Sequence, residues 1–181
     1  MNSKKIGLYR FSPIKNISQL LEAIKHTHFS CHTLCKHTFG RYLPNAGNIG
    51  IFCHYEKEYN QLIQMRKKLT EPSSNPNQKY FKLYKPIIIK AKGDVPQTIY
   101  THLYIRKPDI YRSQVGDVDF FLAPKEYLKI KKSLIEGANI KDGRIFPRQD
   151  LDMIELYHPD IDALAYVSTK MMTETVRVKQ N

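Results

Sequence analysis

Residues 99–106 read IYTHLYIR, and their side chains alternate in character. Ile99, Thr101, Leu103 and Ile105 form one series; Tyr100, His102, Tyr104 and Arg106 form the other. Successive side chains of a β-strand leave on opposite faces. The pattern therefore predicts a half-buried strand, apolar on one side and aromatic and basic on the other. The split recurs twice nearby. Phe81 and Leu83 oppose Tyr80, Lys82 and Tyr84; Val118, Phe120 and Leu122 oppose Asp117, Asp119 and Phe121. If the three strands are neighbours, one sheet face presents Lys82, Tyr84, His102, Tyr104, Arg106, Asp117 and Asp119 together, and the apolar faces dock on helices.

The rest of the chain supplies those helices. Ile17, Leu20, Leu21 and Ile24 keep helical spacing behind Asn16, a suitable cap. Residues 26–44 follow no long period. EKEYNQLIQMRKKL (56–69) starts acidic and ends basic, as the helix dipole prefers. Its apolar side carries Tyr59, Leu62, Ile63 and Leu69, and Arg66 falls on that same side. Pro124 opens a third helix that ends near Gly137. Strands are expected over 4–11, 48–55, 80–92, 98–107, 115–122, 150–157 and 162–169, with 80–92 and 98–107 paired as an antiparallel hairpin. TEPSSNPNQK (70–79) reads as a mobile loop and the last eleven residues as a frayed end. No internal repeat of fixed period is visible. The expected architecture is α+β or mixed α/β. It is a two-layer sandwich of a mainly antiparallel sheet with about three helices, and residues 1–181 make a single compact domain.

Charge narrows the partners. Lys and Arg number 29 against 17 acidic residues, a formal net charge of +12. That balance favours a polyanion such as RNA, DNA or a nucleotide, with an acidic protein as the alternative partner. MNSKKIGLYRFSP holds no apolar signal core, and no stretch approaches the roughly 18 apolar residues of a membrane helix. Three cysteines do not make a secreted disulfide framework. A soluble, cytoplasmic protein without a membrane partner is expected.

Two chemistries suit the aromatic and basic face. In a binding module, bases stack on Tyr84, Tyr100 and Tyr104 while Lys82 and Arg106 follow phosphates. In a metal-dependent phosphoesterase or nuclease, His102 is the acid or base, Arg106 holds the phosphate, Tyr104 joins them in the catalytic set, and Asp117 and Asp119 share Mg²⁺. One more carboxylate from Asp150, Asp152, Glu155, Asp160 or Asp162 would complete such a metal set. GDVDFF is similar over a few residues to the Asp-x-Asp strand of polymerase-β-type nucleotidyltransferases. It lacks their preceding Gly-Ser turn on a helix, so nothing is carried over. A second cofactor expectation is Zn²⁺ on Cys31, Cys35, His37 and either Cys53 or His54, whose residue types suit zinc although the spacing matches no Cys-x-x-Cys knuckle. The functional expectation is a nucleic-acid or nucleotide-binding protein, or a phosphoesterase built on the same face. The alternative is a non-catalytic protein whose basic surface docks an acidic partner.

Overall fold

The structure, a computed structural model, describes residues 10–147 and 151–179. Most of the strand expected over 4–11, and Asp150, lie outside the described residues; Arg10 and Phe11 form a turn. Helix α1 (Ile17–Phe39) comes first. The Asn16 side chain accepts the Gln19 N–H at 2.9 Å, and Gly40 ends the helix at φ +68°. α1 runs through the segment in which the sequence shows no period. Thr27, His28, Cys31, His32, Leu34 and Cys35 keep the stripe of Leu20, Ala23 and Ile24 going, every one buried. The stripe is helical in spacing, but half of it is written in His, Cys and Thr.

There follow β1 (Asn45–Phe52), α2 (Glu56–Leu69), β2 (Phe81–Ile89), β3 (Thr98–Arg106), β4 (Gly116–Leu122), α3 (Pro124–Ile135), β5 (Gly143–Phe146), β6 (Met153–Leu156), β7 (Ala163–Thr169) and α4 (Lys170–Thr175). The seven strands of the described residues form one sheet in the order β2-β3-β1-β4-β7-β6-β5. β1 runs parallel to β3 and β4 parallel to β7; the other neighbours are antiparallel. This corrects the expected mainly antiparallel sheet with about three helices: the sheet is mixed, and the described residues hold four helices. The correction has a topological cause. β2–β3 is the expected hairpin, but β3 then returns beside β1, and β7 returns beside β4 in the same way. Each half therefore winds strand, helix, antiparallel strands, and back to a parallel partner. β1 and β4 join the halves at the centre. Local alternation identifies strands; it does not reveal which distant strand comes back.

Helices α1, α2 and α3 cover one face. The main core gathers Leu20, Ile24 and Leu34 of α1, Leu62 of α2 and Tyr127 of α3 over Ile49, Ile51, Leu103, Val118, Phe120 and Val167. Dispersion and the removal of apolar surface from water hold this layer, each fully buried Leu or Ile contributing about 1.5–3 kcal/mol. The opposite face carries a smaller cluster of Phe52, Met153, Leu164, Tyr166 and Val176. There α4 and the residues after it lie across β1, β4 and β7. The expected frayed end is thus a short helix capped by Thr169, followed by a backbone bridge from Val178 to Gln78. Segment 70–79 is held by that bridge and by one between Thr70 and Leu83. Among the described residues, no helix is long and apolar enough to cross a membrane.

Candidate functional site

The face away from α1 carries a polar row that takes one residue from each strand. In sheet order it runs Lys82, His102, Asn48, Asp119, Tyr166, Glu155 and Arg144. Strand register aligns Lys82 with His102, His102 with Asn48, Asp119 with Tyr166, Tyr166 with Glu155, and Glu155 with Arg144. A hydrogen bond from Asn48 Nδ2 to Asp119 Oδ2, at 2.9 Å, closes the central step between β1 and β4. Gly50, next on this face of β1, is registered with both Tyr104 and Asp117. A Cβ there would lie 1.9 Å from Asp117 Oδ1 and 3.5 Å from Tyr104 Cδ1. Glycine is what lets the aromatic side of β3 and the acidic side of β4 approach across β1.

The strands of the expected face are therefore not all neighbours, because β1 lies between β3 and β4. Even so, His102, Tyr104, Arg106, Asp117 and Asp119 share one face through Asn48 and Gly50. The carboxylate that joins them is Glu155. It is wholly buried, accepts Tyr166 Oη at 2.8 Å and Arg144 Nε at 2.7 Å, and pairs with Arg112 at 3.2 Å. Tyr166 is pushed well up by burial, with the Asp117 and Glu155 charges adding to it.

Closure of this row limits its chemistry. Thr173 O accepts the Asn48 amide at 2.8 Å, and Arg177 Nε donates to Asn48 Oδ1 at 2.9 Å. Arg177 O in turn accepts the Lys79 and Tyr80 backbone N–H groups. Asp117 is 5% and Asp119 2% exposed. The space they share with Lys79, Tyr80, Met153, Tyr166 and Val176 is about 10 Å³. Mg²⁺ usually keeps several waters, which need far more room. Burial brings the His102 imidazole down to about 4, helped by the Arg177 and Lys82 charges. At neutral pH it is a neutral ring with little appetite for a proton.

Tyr100 departs from the expected face. Its hydroxyl meets His28 Nδ1 of α1 at 2.8 Å, and its ring is fully buried in the main core. Ile99, expected in the core, is 49% exposed. β3 changes sides near Thr101, where the register against β2 also breaks, between Lys82 and Ile87. Pro86, with no N–H to give, falls within that break on an edge strand. Tyr84 lies in the same break and is exposed, and Lys82 pairs with Glu71 at 2.9 Å. The zinc candidates are not assembled. Cys31 and Cys35 are buried under α1, Cys53 is buried just after β1, and the His37 ring faces His158. Cys31 Sγ donates to Leu164 O, and burial raises all three thiols. Among the described residues, no group of three or more His, Cys, Asp or Glu is arranged to hold a metal.

An open site lies at the outer end of β3. β2 starts at Phe81, opposite Leu103, so Tyr104, Ile105 and Arg106 run on past it with β1 on one flank. On the other flank is a cleft of about 540 Å³. Tyr59, Ile63 and Arg66 of α2, Pro76, Gln78 and Lys79, Phe81, residues 104–109 and Lys179 line it. The volume falls in the ~300–1,000 Å³ range of small-molecule sites. Arg66, Lys79, Arg106, Lys107 and Lys179 supply cations against one acid, Asp109, which pairs with Arg106. Lys79 Nζ sits 4.8 Å from the centre of the Tyr104 ring, and the Arg66 guanidinium 3.4 Å from that of Phe81. Tyr104 and Arg106 were visible as candidates in the alternation. Arg66 carried a different signal, a charged residue on the apolar side of its helix.

No family model matches the chain, and no curated protein matches it. Among solved structures it is similar to a structural-genomics structure, Protein EC4020. The TM-score is 0.51 and the identity 10%, over 93% of this chain and 95% of that one; the likeness concerns the fold alone. A second similarity is to Streptomyces coelicolor methylmalonyl-CoA epimerase in complex with 2-nitronate-propionyl-CoA. It has 17% identity over 70% of this chain and 98% of that one, and its TM-score of 0.31 is too low to bear on fold or function.

Proposed function

We propose that this chain binds single-stranded nucleic acid or a nucleotide in the cleft beside β3, as a binding protein and not as a phosphoesterase. The observation behind this reading is the combination of Arg66, Lys79, Arg106, Lys107 and Lys179 with Tyr59, Phe81 and Tyr104 in one open cleft. Cations that track phosphates, interleaved with rings on which bases stack, are the two components of sequence-tolerant recognition. The overall charge of +12 would speed the encounter. The acids needed for metal-assisted hydrolysis lie instead in the closed row under α4.

Fluorescence anisotropy with labelled single-stranded RNA and DNA, across a salt series, tests the reading. Affinity should fall with added salt by a log–log slope of about −0.7 per phosphate contacted. Lys107→Ala and Lys179→Ala, both at exposed positions, should each make the slope shallower by about that amount. Binding that ignores salt, or no binding at low salt, would refute it.

A further inference from the structure

We propose that the Arg66 guanidinium is an anchor for a terminal phosphate, a phosphomonoester dianion, at the floor of the cleft. The inference rests on the reading of the cleft as a nucleic-acid or nucleotide site. Arg66 is 6% exposed, and its Nε and Nη1 are buried without a hydrogen-bond partner. Among the described residues no carboxylate pairs with it; its close contact is the face of Phe81. A guanidinium does not give up its proton in a protein. A buried cation with unfilled donors and no counter-ion is costly, and folded chains seldom leave one so. Arg66 lines the cleft, and an anion entering there would give those donors a partner once the guanidinium turns to meet it.

The surroundings indicate what kind of anion. Lys79, Lys107 and Lys179 line the same space, more positive charge than one carboxylate needs. A phosphate offers several acceptor oxygens to a planar fork and carries two charges when terminal. Arg66 lines the cleft and is only 6% exposed, so a ligand meets little more than one opening onto it. A phosphodiester within a strand has ester links on both sides, and both would have to leave through that one opening. A strand end or a mononucleotide needs a single exit.

The test uses the full chain with three single-stranded RNA probes of one sequence: 5′-phosphorylated, 3′-phosphorylated and unphosphorylated. One phosphorylated probe should bind about 10- to 100-fold tighter than the unphosphorylated one, the range for charge-assisted hydrogen bonds. Arg66→Met should erase that preference, so that the three probes bind with one affinity. A nucleoside monophosphate should compete where the nucleoside does not. If Arg66→Met does not fold by circular dichroism, Arg66→Lys, which keeps the charge and loses the fork, should weaken the preference. Equal, salt-sensitive binding of all three probes would overturn the anchor and leave the nucleic-acid reading standing. No binding of any probe would overturn both.

Discussion

Acid should weaken this fold through His28, and by an amount that can be worked out. His28 is fully buried between α1 and β3, its Nδ1 against the Tyr100 hydroxyl and its ring 4.2 Å from that of His32. Burial, and then the His32 charge, bring its pKa from 6.5 down to about 3. The folded chain thus keeps this ring neutral where the unfolded chain protonates it. Stability from this group is present above pH 6.5 and is lost as pH falls toward 3, at up to about 1.4 kcal/mol per pH unit. Between pH 7 and pH 5 the loss from His28 alone is about 2 kcal/mol. Urea unfolding of the wild type and of His28→Gln, at both pH values, isolates it. Glutamine can keep the bond to Tyr100 but cannot titrate. The wild type should lose about 2 kcal/mol more than the variant over that interval. Equal losses would refute the reasoning and mean that the ring is charged, or solvated, in the folded chain.

Two further perturbations probe the closed row. Gly50→Ala puts a Cβ 1.9 Å from Asp117 Oδ1 and should cost about 1–3 kcal/mol, read as a lower melting temperature; an unchanged melting temperature would mean that β1 and β4 separate freely. Glu155→Gln removes the charge that Arg112 and Arg144 share at a fully buried site and should cost about 3 kcal/mol by denaturant unfolding. A neutral result would show that the two arginines find other partners.

Much of this was legible in the residues, and the misreadings have physical causes. The Asn16 cap, the span of α2, Pro124 opening α3 and the β2–β3 hairpin all follow from local chemistry, and all stand. The length of α1 did not show, because His28, Cys31, His32 and Cys35 occupy inner positions that an apolar count passes over. β5, only four residues long, was missed because so short a strand makes no period of its own. Strict alternation put Tyr100 beside His102; the change of sides near Thr101 sent it into the core, where His28 satisfies its hydroxyl. Mixed strand order depends on the parallel return of β3 and β7, a long-range event that no window of the sequence contains. Arg66 is legible in its helix. It stands on the apolar side of its helix with no acid placed to meet it.

Photo-cross-linking of 4-thiouridine-labelled single-stranded RNA, with the attachment points mapped by mass spectrometry, locates the interface directly. The account predicts adducts on the cleft's own lining, at Tyr59, Phe81 or Tyr104 and the adjoining Lys107. Adducts confined to rings outside the cleft, such as the exposed Tyr84 and Tyr111, would contradict it.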